Sequence, residues 1–256
     1  MHHPAHASHS RSPRSAETLP PEPPWLLDHG CSPECARRHA EALRAESGPH
    51  PDPLLERWRQ ANDALSRLIG GWAEHAPLED AAFERWFGDR PRGLSFPAEP
   101  LVLLEWLVLG YRRERGAPTE AERRLPAARF KKPELEALTR ALVAAIPTLH
   151  RVVAVEQGAI VTLEPLLPEG PPVVVHDRGV AWLADVGSVL AGRAYAAGPY
   201  GLLRPVGPQL PAQHETSVLR RLARAQRRLA QPEDDAATFL RAFPEALTHA
   251  LAAEVV

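Results

Sequence analysis

The sequence predicts an α+β protein. A helical N-terminal part leads into a small, five-stranded, partly closed antiparallel β module, and C-terminal helices pack back onto it. Three observations carry this expectation. Up to about residue 150 the apolar residues recur at helical spacing. Five short segments rich in Val and Leu follow, separated by Gly, Pro and Asp, as in a half-buried antiparallel sheet. Beyond residue 211 the helical spacing returns, now with an arginine-rich face.

Residues 1–24, MHHPAHASHSRSPRSAETLPPEPP, are rich in proline and offer little to bury. They are expected to form a disordered, solvated tail that includes His2, His3, His6 and His9. The tail lacks the apolar core of a secretory signal. Residues 25–53 are expected to hold a short helix over 33–45, with Ser32 as N-cap and Pro33 at the first helical position. SGPHPDP (47–53) ends that helix as a linker.

The helical domain is placed at 54–149. Leu54, Trp58, Ala61, Leu65, Leu68 and Trp72 alternate spacings of four and three, one face of a helix that Gly70 and Gly71 weaken near its end. Phe83, Trp86 and Phe87 mark a second, short helix. The run LVLLEWLVLGY (101–111) predicts a third helix, apolar on most faces and therefore central. It contains Glu105 and is too short to cross a bilayer. Leu135, Leu138, Leu142 and Ile146 predict another, stopped by Pro147. Trp72, Trp86 and Trp106 are assigned to the core.

The β module is placed at 150–211. Its expected strands are 151–155 (RVVAV), 159–163 (AIVTL), 172–176 (PVVVH), 188–195 (SVLAGRAY) and 201–206 (GLLRPV). Short turns between successive strands favour antiparallel pairing. A module of about 60 residues is marginal alone and is expected to pack on helices. In the C-terminal part, 212–256, an amphipathic helix is expected over 214–229. Val218, Leu222, Ala225 and Leu229 form its apolar stripe. Phe239, Phe243, Leu247 and Leu251 mark a last helical segment, which Pro244 kinks or splits.

At 256 residues the chain can form one large domain or two small ones. Basic and acidic residues nearly cancel, 30 against 32, so no global field draws the chain to nucleic acid or to anionic lipid. Lys131 and Lys132 are the only lysines; arginine carries the remaining basic charge. With abundant Ala and Pro, this bias points to a GC-rich bacterial genome. Two cysteines do not make a disulfide framework. The expected setting is the cytoplasm, with no membrane partner.

One compact constellation has ligand chemistry. In DHGCSPECARRH, His29, Cys31, Cys35 and His39 supply two thiolates and two imidazoles, a complete set for tetrahedral zinc. A helix beginning at Ser32 places Cys35 and His39 on one face, with Cys31 at its edge. The spacing is Cys-x3-Cys and no second pair follows, so ordinary surface residues on a short helix are the competing reading. Zinc is the one cofactor the sequence brings into question. A catalytic Cys35, activated at a helix N-terminus, lacks the CxxC spacing and βαβ context of redox proteins.

The second candidate is cationic. Arg220, Arg221, Arg224, Arg227 and Arg228 lie off the apolar stripe of the expected helix and can grip phosphates. A solvated helix face is the plainer reading. No aromatic is interleaved with them, which disfavours a stacking platform for single strands. Motifs for catalysis are missing: no GxGxxG after a strand, no P-loop, no HExxH and no GxSxG. The expected function is therefore an interaction or adaptor protein that binds a protein or nucleic-acid partner. The alternative is an enzyme with a site between the helical part and the β module, around Glu105, His176 and Asp177.

A family resemblance adds to this reading. The aromatic-rich helix LLEWLVLGYRRERGAPTEAE precedes VVAVEQGAIVTLEPLL, PPVVVHDRG and DVGSVLAGRAY. Val153, Gly158, Leu163, Leu166, Val175, His176, Gly187 and Arg193 carry the match. On these residues the stretch from about 83 to 211 resembles the uncharacterised bacterial SEC-C motif-associated proteins. The resemblance implies an interaction or adaptor role. The cysteine-rich zinc motif that names the group, CxC followed by CC, is missing from this chain, which ends LTHALAAEVV. Zinc binding is therefore not carried over to Cys31 and Cys35.

Overall fold

The structure is a computed structural model, and it describes residues 52–76, 79–88, 96, 99–156, 160–177, 180–181 and 184–255. The tail, the helix expected over 33–45, and His29, Cys31, Cys35 and His39 lie outside the described residues.

Among the described residues five α-helices precede the sheet: α1 (Pro53–Ala73), α2 (Asp80–Phe87), α3 (Glu99–Leu109), α4 (Glu120–Arg124) and α5 (Pro133–Ala144). Asp52 caps α1 by accepting the Leu54 N–H at 2.8 Å, with Pro53 in the first turn. The helix continues through Gly70 and Gly71 because Ile69, Trp72 and Ala73 are buried on either side of them. That burial outweighs the cost of about 1 kcal/mol per helical glycine. No apolar periodicity marks α4. It stands on a capping box in which Thr119 accepts from the Glu122 N–H and Glu122 accepts from the Thr119 N–H. α3 is less central than its composition predicts. Leu101 and Leu104 are 68% and 43% exposed, whereas Val102, Trp106, Leu107, Val108 and Leu109 are buried.

All five expected strands are present: β1 (Pro147–Glu156), β2 (Ile160–Leu167), β3 (Val173–Val175), β4 (Val189–Ala197) and β5 (Tyr200–Pro205). They form one antiparallel sheet in the order β3-β2-β1-β4-β5. β1 starts earlier than expected. Pro147 both ends the α5 segment and opens the strand, where it pairs with Arg193. The sheet is not closed into a barrel, yet its two edges meet. The His176 N–H donates to the Gly201 carbonyl at 2.7 Å, and the Gly201 N–H donates back to His176 Nδ1 at 3.2 Å. Register shifts along β1, between Leu149 and His150 and between Val152 and Ala154, accompany the curl.

Helices cover both flanks of the curled sheet. α1, α3 and α5 share a core with Tyr195, Tyr200 and Leu202. The C-terminal helices are α6 (Glu215–Leu229), α7 (Ala236–Ala242) and α8 (Glu245–Ala252). They share a core with Leu149, Val189 and Ala191. Pro244 splits α7 from α8, as its position predicts. Val152, Val161, Leu163, Val175, Leu190 and Leu203 form a further core within the sheet.

Among the described residues one titratable side chain is buried without a proper partner. His150 on β1 is 2% exposed and neither ring nitrogen makes a hydrogen bond of good geometry. Burial pulls its pKa down to about 4, and the nearby Gly192 backbone opposes this only weakly. The folded protein therefore stays unprotonated where the unfolded chain, at an ordinary 6.5, takes up a proton. Stability from this group is fully present above pH 6.5 and is lost as the pH falls toward 4, by about 3 kcal/mol in all. His150→Leu is expected to flatten the fall in stability between pH 7 and pH 4.5. Urea unfolding at several pH values checks this; an unchanged slope contradicts it.

Candidate partner-binding groove

The site begins with the stripe of α6. Arg151 on β1 clamps the first turn of the helix through a bidentate pair with Glu215, at 2.8 and 2.6 Å. Val218 and Leu222 are then fully buried, Ala225 is half-buried, and Leu229 is 36% exposed. The apolar stripe thus runs out of the core and ends in a groove.

All five arginines of the helix are exposed, but they do not act together. With 3.6 residues per turn, Arg221, Arg224 and Arg228 fall along one side of the stripe and line the groove. Arg220 and Arg227 lie outside its lining.

The groove has a volume of about 700 Å³ and runs between α6, the end of α2 and the α7–α8 corner. Phe87, Phe243, Ala246 and Ala250 supply apolar surface opposite Ala225 and Leu229. A buried carboxylate holds this wall in place. Glu245 accepts from Trp106 Nε1 at 3.1 Å and from Arg85 Nε. Arg85 donates further to the carbonyls of Arg112, at 3.1 Å, and Ala242. Its guanidinium carbon lies 5.1 Å from the Phe243 ring centroid. Trp86 is fully buried beside Trp106 and donates to Glu99 at 3.1 Å. Gly88 ends α2 at φ +55°, and a Cβ there would meet the His249 ring at 3.3 Å. With these bonds in place the wall is already formed before anything binds, which lowers the entropic cost of binding.

The charges divide into committed and available groups. Arg221 donates to Glu254 at 2.7 Å, and Glu254 also bonds His214 at 3.0 Å. The His214 bond and then the Arg221 bond hold the Glu254 carboxyl down to about 2. Arg224 and Arg228 make no hydrogen bond or ion pair among the described residues. Glu84 on α2 is the exposed carboxylate at the opposite rim.

The enzymatic alternative meets a different environment. Glu105 accepts from Arg204 at 3.2 Å, and Arg204 also reaches Asn62 at 3.1 Å and Ser66 at 2.7 Å on α1. Arg193, fully committed, donates to the carbonyls of Leu109, at 2.9 Å, and Ala145. Burial raises the Glu105 pKa and lowers that of Arg193 to about 10. The space beside Glu105, Arg193 and Arg204 is about 20 Å³, room for about one water. His176 joins the sheet edges and stacks on Tyr200 at 5.7 Å, while Asp177 accepts from the Val180 N–H at 3.0 Å. These groups pin the helices to the sheet and hold a turn; they do not line a cleft together.

Sequence reasoning found the α6 arginines and missed Arg85, Glu245 and Arg204. Arginine is too common in this chain for a single one to stand out, and each of these acts across a long stretch of sequence. Among the described residues no cluster of three or more His, Cys, Asp or Glu is placed to hold a metal ion. No described helix is long and apolar enough to cross a membrane. Compared with known proteins, the chain matches no protein-family model, no curated protein and no solved structure.

Proposed function

We propose that the protein is a cytoplasmic bacterial adaptor that holds an acidic, amphipathic segment of a protein partner in the groove between α2, α6 and α8. The observation that carries this reading is the pairing of two guanidiniums that make no ion pair among the described residues, Arg224 and Arg228, with an adjoining apolar floor. Guanidinium forks pair with carboxylates in bidentate geometry, and the floor buries the apolar side of the same segment. A volume of about 700 Å³ suits a few anchoring side chains. Duplex or single-stranded nucleic acid fits less well. It calls for a cationic track longer than one helix and for stacking surfaces, and the chain carries a formal net charge of −2. The resemblance to SEC-C motif-associated proteins points to the same adaptor role.

The test uses the tagged full-length protein and its R224E/R228E variant, each incubated with host lysate with and without nuclease. Both positions are exposed and make no ion pair among the described residues, so the fold is expected to be retained within about 0.5 kcal/mol. The expected result is a protein captured at fixed stoichiometry, insensitive to nuclease, and reduced about tenfold or more by the variant. Equal capture by both proteins, or capture that nuclease abolishes, overturns the proposal.

A further inference from the structure

We infer that Glu84 selects among acidic segments: the partner is a helix with carboxylates along one edge of its apolar stripe and a Lys or Arg along the other. The inference rests on the groove reading above and adds the second edge of the ligand.

Three observations lead there. The first is the sign of the two rims. Arg224 and Arg228 line the α6 side and Glu84 lines the α2 side, and all three are exposed. No ion pair joins Glu84 to either arginine, so the groove holds opposite charges apart across its apolar floor. A bound segment therefore meets cations on one side and an anion on the other. The second is the place of Glu84 within α2. It lies in the last turn, where its own carbonyl accepts the Gly88 N–H at 2.8 Å. That is the negative end of the helix dipole, which disfavours a carboxylate. Cations that touch this helix are engaged elsewhere: Arg85 with Glu245, and Arg113 with Glu79 at the N-cap position. Among the described residues the Glu84 side chain makes no hydrogen bond or ion pair. Neither the helix nor an internal counterion accounts for a carboxylate here, whereas a cation brought by the partner does. The third is the spacing of the open guanidiniums. Arg221 is already neutralised by Glu254 at 2.7 Å, which leaves Arg224 and Arg228. They are one helical turn apart, a rise of about 6 Å. Two Glu residues four apart on a partner helix repeat at the same rise and can meet both guanidiniums. An extended segment sends successive side chains to opposite faces, so it cannot flank one apolar stripe with acid on one side and base on the other. A helix can.

The experiment follows the fluorescence anisotropy of two labelled helical peptides of about 18 residues, titrated with the full-length protein at low salt. Both peptides carry a Leu stripe and Glu residues four apart along one edge. The other edge is Lys in one peptide and Gln in the second. The Lys-over-Gln preference of the wild type is expected to exceed that of E84Q by about two- to fivefold, the range of one exposed ion pair. Taking the ratio between the two proteins cancels the difference in net charge between the peptides. E84K is expected to shift the preference toward the Gln-edged peptide. Glu84 is exposed, so both variants are expected to keep the wild-type urea unfolding midpoint, which is measured alongside. The same preference in wild type and E84Q overturns the inference. The groove reading still stands in that case if R224E/R228E weakens both peptides. If neither peptide binds, or both bind R224E/R228E as tightly as wild type, the groove reading fails and the inference fails with it.

Discussion

Replacing Glu245 with alanine is expected to destabilise the protein by about 3–5 kcal/mol and to lower its melting temperature by on the order of 10 °C. Glu245 is 4% exposed and joins three elements through one carboxylate. Its partners are Trp106 Nε1 on α3 and the Arg85 guanidinium on α2, while Glu245 itself opens α8. Removing it leaves the Arg85 charge without its counterion and the Trp106 N–H without an acceptor, both in partly or fully buried surroundings. Such orphaned groups cost more than the bond was worth. Glu245→Gln keeps the volume and an acceptor for Trp106 but removes the charge, so an intermediate loss is expected. Urea unfolding of both variants checks this. A loss below about 1 kcal/mol for the alanine variant means that Glu245 does not hold this corner together. Because Arg85 and Phe243 line the groove, the alanine variant is also expected to weaken partner capture.

The second large effect is at the meeting of the sheet edges. A Cβ on Gly201 would lie 2.1 Å from the Val174 carbonyl oxygen and 3.2 Å from its carbon. Both sides of that contact are backbone, so no rotamer change relieves it. Gly201→Ala must push β5 away from β3, breaking the reciprocal His176–Gly201 bonds and opening the interior packed around Val175 and Leu203. Overpacking and two lost hydrogen bonds together cost about 3 kcal/mol or more. Gly70 is the control. A Cβ there meets nothing within 4 Å, inside a helix, so Gly70→Ala is expected to stabilise by about 0.5–1 kcal/mol. Unfolding midpoints shifted in opposite directions support the curled sheet; equal stability of Gly201→Ala and wild type rules out the edge contact.

Much of the fold was legible in the sequence because it follows local periodicity. The five Val- and Leu-rich segments all became strands, α6 ran over nearly the expected residues, and Pro244 split the last helical segment. Where local signals compete, the reading failed or fell short. Local spacing marks Pro147 as a helix stop, and its second role at the head of β1 depends on pairing with Arg193 far along the chain. α4 has no apolar stripe, yet Thr119-x-x-Glu122 is a capping-box signature that could have revealed it. The exposure of Leu101 and Leu104 depends on which neighbours α3 acquires, which composition does not specify.

The groove was half legible. Helical spacing already separates Arg221, Arg224 and Arg228 from Arg220 and Arg227, so its cationic wall could be drawn from the sequence. Its other wall could not, because Arg85 and Glu245 are 160 positions apart and neither is unusual in its local context. By residue type Glu105, His176 and Asp177 are candidate reacting groups. The structure commits each to an ion pair, a strand junction or a turn. The Cys31 and Cys35 knuckle falls outside the described residues.

The measurement that bears most directly on the groove as a binding surface is a salt-dependent anisotropy titration. A labelled acidic amphipathic peptide and a labelled single-stranded oligonucleotide are compared on the full-length protein with and without R224E/R228E. The groove account predicts saturable peptide binding that weakens with added salt and falls about tenfold or more in R224E/R228E, with no comparable binding of the oligonucleotide. Peptide binding that ignores R224E/R228E, or tight binding of the oligonucleotide alone, would contradict it.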